Sequence, residues 1–285
     1  MNHATCAQAL LAAKTLGLER LDAQLLLLHA LGKPSDARAW LLAHDTDLLS
    51  DEVAQRYRAL TLRRAGGEPL AYIVGYKAFF SLTLQVDARV LIPRPDTETL
   101  VQWSLDLLQA PGMPLVRRVL DLGTGSGAVA LAIAHGLQTS GCQGKVVAVD
   151  ASTDALNVAR GNAQRLGLDQ DLTFIQSSWL QEVTGHFHLM ASNPPYIASG
   201  DPHLTALVHE PLEALTAGMD GLDDLRQITR QAPRHLHPGG WLLLEHGYDQ
   251  ADAVRQLLAE QGFSQVQSRR DLAGIERCSG GQWPA

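Results

Sequence analysis

The residues best suited to chemistry stand in the segment Asn193-Pro194-Pro195-Tyr196, directly after an apolar run. Each proline ring locks its own φ and biases the preceding residue towards an extended conformation. The side-chain oxygen of Asn193 and the main-chain carbonyl of Pro194 can therefore be held as two fixed acceptors for one planar NH2 group. Tyr196 adds a flat face against which an amide or a base can lie. The segment predicts a site for an amide or an exocyclic amine.

A nitrogen of this kind is a poor nucleophile, because its lone pair is delocalised. Two acceptors on its hydrogens favour the charge that develops on nitrogen during attack, and they aim the lone pair. An oxygen or sulfur nucleophile has no use for paired acceptors. No general base is assigned, because an amide nitrogen becomes acidic only as the new bond forms. The alternative interpretation is a rigid loop that only ends a strand.

A second motif, at 118–127, reads as a strand, a glycine turn and the start of a helix. Gly123, Gly125 and Gly127 follow a GxGxG spacing, where the dinucleotide fingerprint has GxGxxG. Glycines let the backbone turn sharply and let a ligand approach without a Cβ in the way. The helix N-terminus offers free N–H groups. Alone, the loop is also compatible with an ordinary structural turn.

The next predicted strand, 145–150, ends in the carboxylate of Asp150. An acid at this strand tip can accept hydrogen bonds from both ribose hydroxyls of an adenosine. The alternatives are a solvated acid or a cap for the next helix, which Ser152 can provide instead. Loop and acid together predict an adenosine-containing cofactor and leave both NAD and S-adenosylmethionine open. Combined with an NH2-binding site, they indicate nitrogen methylation.

The elements that position these motifs begin with a helical region of about 65 residues. One helix is predicted from a stripe formed by Leu18, Leu21, Leu25 and Leu28. A short helix is predicted over 36–45, and a third helix is predicted to begin after Ser50 as N-cap. A hairpin should follow, with strands near 82–86 and 90–92 and a turn near Asp87.

From Asp96 onwards, strands alternate with helices, which indicates an open α/β sheet with helices on both faces. Strands are predicted over 116–121, 145–150, 172–176, 186–192, 241–246, 264–269 and 275–279, and helices over 126–139, 153–166, 222–236 and 250–261. Strand 186–192 is the fourth in chain order. Its tip, and with it Asn193, is therefore expected at the sheet edge that holds the glycine loop and Asp150, where such sheets bind ligands.

Composition excludes several classes of function. The chain of 285 residues carries a formal net charge of −7, which argues against a long unassisted grip on nucleic acid. It has no run of 18 apolar residues, so no membrane span is predicted. Three widely spaced cysteines without a CxxC pattern indicate reduced thiols and a cytoplasmic protein. The histidine pairs at 186/188 and 235/237 lack further ligands at suitable spacing, so no metal site is predicted.

The stretches "DLGTGSG", "VVAVD", "SNPPYI" and "LIPRPDTE" resemble those of the bacterial release factor glutamine methyltransferases, the HemK or PrmC family. The resemblance extends over essentially the whole chain, including "EPLAYIVGYKAFF", "AGMDGL" and "LLLEHG". NPPY alone is shared with DNA adenine and ribosomal guanine methyltransferases, but the full order of motifs is more specific. The resemblance implies an α/β fold: a seven-stranded, Rossmann-like class I S-adenosylmethionine-dependent methyltransferase domain at 96–285. A β-hairpin linker at 74–95 and a small all-helical, substrate-docking domain at 1–73 precede it.

The resemblance also implies the reaction. S-adenosylmethionine gives its methyl group to the side-chain nitrogen (N5) of the glutamine in the Gly-Gly-Gln motif of class I peptide chain release factors, which tunes translation termination, and S-adenosylhomocysteine is the product. Implied cofactor contacts are Asp121, Gly123, Thr124, Gly125, Ser126, Gly127, Asp150, Trp179 and Asn193. Implied substrate contacts are Asn193, Pro194, Pro195 and Tyr196, of which Asn193, Pro194 and Tyr196 are the catalytic residues. Neither a membrane nor a stable nucleic-acid partner is expected.

Some features depart from the family pattern or compete with this reading. Ser178 precedes Trp179 where relatives often have an acid, so an adenine-amine contact is unassigned, and the stretch before Glu210 lacks an arginine that relatives often carry. Glu245 and His246 are placed at a strand end on the active edge of the sheet and are interpreted as structural hydrogen-bonding groups, with catalysis as the alternative. The Gly-Gly-Gln at 280–282 is interpreted as a coincidence.

Two alternative functions are a nucleic-acid amino methyltransferase and a silent adaptor for a translation factor. The intact Asn193 argues against the adaptor.

Overall fold

The chain, described as a computed structural model over residues 4–284, changes near Tyr76 from helices alone to strands alternating with helices. Two compact units divide between Tyr76 and Lys77. Residues 1–3 and 285, the outer ends of the predicted domains, lie outside the described residues. The first unit contains α1 Cys6–Thr15, α2 Arg20–Ala30, α3 Arg38–Ala43, α4 Asp51–Ala65 and α5 Leu70–Val74.

Local signals set the ends of these helices. Ser50 is the N-cap of α4, as predicted, and its hydroxyl accepts a hydrogen bond from the Val53 N–H at 3.3 Å. Thr5 and Gln8 form a reciprocal capping box at the start of α1. Such caps satisfy N–H groups that have no partner within the helix.

The predicted leucine stripe of α2 is only partly correct. Leu21 is 48% exposed and Leu25 is half-buried, whereas Leu26, Leu27 and Leu28 are fully buried. The cause is that α2 packs against α1, α3, α4 and α5. A helix that is surrounded by four others buries more of its circumference than one apolar stripe.

The predicted hairpin turn near Asp87 is wrong. The hairpin consists of β1 Tyr76–Phe79 and β2 Leu82–Gln85, and it turns at Phe80 and Ser81. Both turn residues have positive φ, 44° and 66°, as a tight two-residue hairpin requires. The predicted return strand over 90–92 is not formed in the part of the chain described.

The second unit contains one sheet with strand order β5-β4-β3-β6-β7-β9-β8. Its strands are β3 Val116–Leu122, β4 Gln143–Asp150, β5 Leu172–Gln176, β6 Phe187–Ser192, β7 Leu236–Glu245, β8 Ser264–Arg270 and β9 Glu276–Gln282. Strands β3 to β7 pair in parallel, and β9 runs antiparallel to β7 and β8. The helices are α6 Glu98–Leu108, α7 Ala128–Thr139, α8 Thr153–Leu166, α9 Asp223–Gln231 and α10 Ala251–Glu260. The predicted seven-stranded α/β fold is confirmed.

Hydrophobic cores lie on both faces of this sheet, because successive strand residues point to opposite sides. Along β3, Val119 joins the core that contains α6 and α7, whereas Leu120 and Leu122 join the core that contains α9 and α10. The helix predicted over 222–236 is shorter than expected: α9 ends at Gln231, and a 3-10 turn containing Pro233 leads into β7.

The pairing of the central strands decides where the motifs meet. Leu122 pairs with Val149 on one side and with Ser192 on the other. Gly123 and Asn193 directly follow β3 and β6, and Asp150 is the last residue of β4, so the three residues lie side by side at one sheet edge. The prediction of a shared edge is confirmed.

Two further observations concern the whole described chain. No helix within residues 4–284 has the length and apolar character needed to cross a membrane. Cys6, Cys142 and Cys278 are free thiols.

Candidate active site

The glycine loop after β3 has a backbone that only glycine adopts without strain. Gly123, Gly125 and Gly127 have φ of 73°, 53° and 85°. The loop crosses the end of β4, where the N–H groups of Gly123 and Thr124 donate to the Val149 carbonyl at 2.9 and 2.8 Å. Gly123 and Gly125 border a cleft at the sheet edge, so their backbone is open to a ligand.

Asp121 holds this loop from behind. Its side chain is buried, and its Oδ2 accepts hydrogen bonds from Thr124 Oγ1 at 2.7 Å and from the Ala130 N–H at 3.1 Å. Burial raises the pKa of Asp121 to about 7. Thr124, Ser126 and Gly127 are not among the described residues that border the cleft. Asp121 and Thr124 thus shape the loop, and a direct cofactor contact from either stays a prediction.

Asp150 borders the cleft at the tip of β4. Its Oδ2 accepts from the Gly125 N–H at 2.8 Å and its Oδ1 from the Ser152 N–H at 2.9 Å. Burial raises the pKa of Asp150, and these backbone donors oppose the shift. The Ser152 hydroxyl caps α8 by accepting from the Ala155 N–H. Ser152, not Asp150, thus provides the helix cap, and each Asp150 oxygen keeps a lone pair for a ligand hydroxyl.

Trp179 forms a wall of the same cleft in a conformation that is rare for a bulky residue, with φ of 51°. Its indole Nε1 donates to Asp224 Oδ1 at 3.0 Å. A Cβ on Gly123 would lie 3.4 Å from Cζ3 of the Trp179 ring. The ring therefore lies directly over the glycine loop.

The sequence analysis missed Asp224, which also borders the cleft. Burial raises the pKa of Asp224, and the hydrogen bond from Trp179 opposes the shift. Its carboxylate binds the indole of Trp179, the residue after Ser178, where the family pattern often has an acid. The only signal in the sequence is the pair Asp223-Asp224 at the start of α9, and acids are common at any helix N-terminus.

The Asn193 amide has a defined orientation. Its Nδ2 donates to Thr97 Oγ1 at 3.2 Å, and Thr97 is buried. Among the described residues, Asn193 Oδ1 accepts no hydrogen bond. Asn193 and Pro195 border the cleft, whereas Pro194 is buried. The amide therefore keeps an acceptor in the cleft shared with Asp150.

The Tyr196 side chain contacts a buried group and does not border the cleft in the described structure. Its hydroxyl lies 3.4 Å from Oε1 of the buried Glu245, and its carbonyl accepts from Gln250 Nε2 at 3.1 Å. Burial, and then the nearby Glu245 charge, raise the pKa of the Tyr196 phenol. Tyr196 is not among the described residues that border the cleft, so its contact with substrate stays a prediction. The hydrogen bonds of Thr97, Glu245 and Gln250 at this corner are contacts that the sequence does not indicate, although it predicts Glu245 at this sheet edge.

The "IPRP" segment is fixed to the loop that carries Pro211. Glu210 accepts from the Ile92 N–H at 3.1 Å and from Arg94 at 2.5 Å, and its side chain is 3% exposed. Pro211 borders the cleft. Arg94 therefore provides the cation that pairs with the buried Glu210.

The histidines have structural contacts. His188 Nδ1 accepts from the Arg118 N–H at 2.9 Å, and its ring stacks on His237 with centroids 4.5 Å apart. Within residues 4–284, no group of three or more histidine, cysteine or acidic side chains is arranged to hold a metal ion.

Gly221, in the "GMDGL" motif, packs directly on the Asn-Pro-Pro-Tyr corner. Its φ is 74°, and a Cβ there would lie 2.2 Å from the Tyr196 carbonyl oxygen. We expect Gly221→Ala to lower the free energy of unfolding by about 3 kcal/mol, since it adds overpacking to left-handed strain. Urea unfolding measures this change.

Gly274→Ala is the matched control for Gly221→Ala. Gly274 has φ of 81°, but no atom lies within 4 Å of the Cβ it would acquire. Left-handed strain alone should lower its unfolding free energy by about 1 kcal/mol. Equal losses in the two variants would show that the close approach to Tyr196 contributes nothing.

Comparison with known proteins supports the family resemblance of both units. Residues 4–75 match the family model described as PrmC N-terminal domain, and residues 117–278 match the one described as Methyltransferase domain. A release factor glutamine methyltransferase of Bordetella pertussis is 48% identical over 269 residues, which cover 93% of this chain and 95% of that protein. Another, from Xylella fastidiosa strain Temecula1, is 46% identical over 279 residues, which cover 97% and 98%. A crystal structure of a methyltransferase from Pyrococcus furiosus, 20% identical, matches 73% of this chain and 92% of its own with a TM-score of 0.53, which shows the fold.

Proposed function

This chain belongs to the release factor glutamine methyltransferase family, and on that premise we propose that it methylates the glutamine of the Gly-Gly-Gln motif in class I peptide chain release factors. The methyl group goes from S-adenosylmethionine to the side-chain amide nitrogen (N5), and S-adenosylhomocysteine is the product. The observation that carries the proposal is the orientation of Asn193. Thr97 binds its NH2 end, so its oxygen is left for an NH2 group in the cleft that Asp150 also borders.

The cleft suits an adenosine-containing cofactor. Asp150 is placed to accept from ribose hydroxyls, Gly123 and Gly125 carry no Cβ at the cleft floor, and Trp179 adds an aromatic wall. Asp224 accepts a hydrogen bond from the Trp179 indole and borders the same cleft. When bound, S-adenosylmethionine supplies a methyl carbon that is electrophilic because the attached sulfur is positively charged.

The Asn-Pro-Pro corner orients the glutamine. Asn193 Oδ1 and the Pro194 carbonyl accept the two hydrogens of the amide NH2, which aims the nitrogen lone pair and stabilises the positive charge that grows on nitrogen. The amide proton leaves to solvent once the nitrogen has become acidic. Pro195 restricts the backbone of the corner, and Tyr196 is the proposed flat surface against which the substrate amide lies.

The helical unit is the proposed docking region for the release factor. Its match to the PrmC N-terminal domain supports this role. A net charge of −7 favours a protein substrate over nucleic acid, and no stable nucleic-acid or membrane partner is proposed. We place the reaction in the cytoplasm, where release factors meet ribosomes.

Label transfer tests the proposal. Tritiated S-adenosylmethionine is offered with a class I release factor, with DNA and with ribosomal RNA, and tandem mass spectrometry locates the modified residue. We expect one methyl group on the Gly-Gly-Gln glutamine. A release factor with glutamate in place of that glutamine is the matched control and should take no label. Label in nucleic acid alone would contradict the proposal and support an amino methyltransferase acting on bases.

A further inference from the structure

A buried carboxylate lies behind the Asn-Pro-Pro-Tyr corner. Glu245, the last residue of β7, is 1% exposed, and the Tyr196 hydroxyl lies 3.4 Å from its Oε1. Thr97, which binds the Asn193 amide, is 3% exposed. We call Asn193, Thr97, Glu245 and Tyr196 the Glu245 network. The proposed reaction mechanism assigns no task to Glu245.

The direction of the hydrogen bonds connects these residues. Thr97 Oγ1 accepts from Asn193 Nδ2, so the Thr97 hydroxyl hydrogen can point to another acceptor. Glu245 Oε2 has no hydrogen-bond partner among the described residues. The Thr97 hydroxyl favours the ionised form of Glu245, as does the Tyr196 hydroxyl. The Tyr196 hydroxyl donates to Oε1 of Glu245, so the unpaired Oε2 is left for the hydrogen of the Thr97 hydroxyl when Glu245 is ionised.

We propose that Glu245 is a positioning residue, which fixes the hydroxyls of Thr97 and Tyr196 and, through Thr97, keeps the Asn193 oxygen directed into the cleft. This inference rests on the proposed function. If the Thr97 hydrogen were not held by Glu245, it could turn towards Asn193, and the amide could then rotate to present its own NH2 to the substrate. Two NH2 groups facing each other offer no acceptor, so the substrate nitrogen would not be held.

The charges around Glu245 determine when it is ionised. Burial, as the largest influence, and the charge of Asp96 raise the pKa of Glu245, which lies at about 7. Arg277 on β9 opposes the shift, but its guanidinium is shared with Asp96 at 3.3 Å and Asp271 at 3.2 Å. Cys278, paired with Glu245 across β7 and β9, stays a neutral thiol because burial raises its pKa.

Tyr196 and His246 do not change charge near pH 7. Burial raises the pKa of Tyr196, on which Arg94 and Asp96 also act, and burial lowers the pKa of His246. His246 is neutral there, with its ring nitrogens bonded to the Gly247 carbonyl and the Ser279 hydroxyl. Among the groups around the Asn-Pro-Pro-Tyr corner, Glu245 is therefore the one that gains its charge as the pH rises through about 7. Asp121, whose pKa is also about 7, lies behind the glycine loop, and its titration is retained in Glu245→Gln.

The activity test compares kcat against pH in the wild type and in Glu245→Gln, with a release factor as substrate. Wild-type kcat should rise as the pH passes through about 7. Glu245→Gln should lose this step and have a kcat about 10-fold lower at pH 8, the effect of removing a residue that orients a catalytic group. KM for S-adenosylmethionine should stay within about twofold. Glu260→Gln, an exposed change on α10, is the matched control and should keep the wild-type profile.

Stability separates positioning from a general structural role. The folded-state pKa of Glu245 lies above its usual value of 4.5, so the folded protein holds this proton more tightly than the unfolded chain. The stability that this proton provides is present below pH 4.5 and is lost as the pH rises to about 7. Glu245→Gln avoids burying a charge, so its Tm at pH 8 should equal or exceed that of the wild type. A lower Tm that accounts for the lost activity would overturn the inference.

A measurement without substrate tests the Glu245 network independently of the proposed methylation of release factors. Carbon-13 NMR of glutamate carboxyl groups follows the titration of Glu245, whose signal is assigned by its absence in Glu245→Gln. Thr97→Val keeps the side-chain shape and removes the hydroxyl that favours the ionised form, so the Glu245 pKa should rise. No change would overturn the network.

If the pKa of Glu245 rises in Thr97→Val but the wild-type enzyme leaves release factors unmethylated, the network stands and the proposed function fails. If release factors are methylated and Glu245→Gln keeps the wild-type kcat and pH profile, the positioning role fails.

Discussion

Asn193→Ala is expected to lower kcat about 100-fold or more while leaving the affinity for S-adenosylmethionine nearly unchanged. The change removes one of two acceptors for the substrate NH2 group, and this acceptor binds more strongly as charge develops on nitrogen. Interactions that strengthen in the transition state act on kcat and not on ground-state binding. Steady-state methylation of a release factor and calorimetric titration of the cofactor measure the two quantities separately.

The control for Asn193→Ala is Asn157→Ala, an exposed position on α8. That variant should keep both kcat and cofactor affinity. The account of Asn193 would be wrong if Asn193→Ala lost cofactor affinity and kept its kcat at saturating cofactor.

Asp150→Ala should have the opposite pattern, with a Kd for S-adenosylmethionine about 100-fold higher and kcat at saturation changed only a few fold. A hydrogen bond to a charged acceptor contributes about 1.5–3 kcal/mol, and Asp150 is placed to accept two from a ribose. The change also removes the acceptor for the N–H groups of Gly125 and Ser152, which loosens the glycine loop. Calorimetric titration of the cofactor measures the Kd.

Asp154→Ala is the matched control for Asp150→Ala, because Asp154 is an exposed acid in the first turn of α8. It should bind the cofactor as the wild type does. An unchanged Kd in Asp150→Ala, with activity lost at saturating cofactor, would remove Asp150 from the cofactor site.

The sheet edge could be predicted from sequence because each motif directly follows a strand. Parallel pairing brings the carboxyl ends of β3, β4 and β6 together. The proximity of Gly123, Asp150 and Asn193 could therefore be predicted once the order of these strands was correct. The family resemblance then selected among the cofactors that the loop and the acid allow. The comparisons support the family, and the individual residue roles remain predictions to be measured.

Contacts between distant segments could not be predicted in this way. Thr97 binds Asn193, Asp224 binds Trp179, and Glu245 approaches Tyr196 only because the fold brings separate loops to one edge. None of these pairs has a local spacing that indicates contact. The position of the hairpin turn was predicted wrongly for a different reason. Phe80 and Ser81 are not typical left-handed turn residues, so the sequence at the turn carries no recognisable signal.

The Gly-Gly-Gln at 280–282 shows why a motif needs its structural context. These residues lie in β9 and pair with β7 on one side and β8 on the other. A Cβ on Gly280 would lie 2.4 Å from the Leu243 side chain, and one on Gly281 would lie 2.8 Å from Phe263. Close packing within the sheet therefore explains the two glycines without any role as substrate.

In the proposed reaction, Asn193 and Pro194 hold the substrate amide by both of its hydrogens. The most direct measurement is a crystal structure of this protein with S-adenosylhomocysteine and a class I release factor. The account predicts the glutamine NH2 within hydrogen-bond distance of Asn193 Oδ1 and the Pro194 carbonyl, with the ribose on Asp150. A glutamine bound elsewhere, or an Asn193 amide turned so that its NH2 faces the glutamine nitrogen, would contradict it.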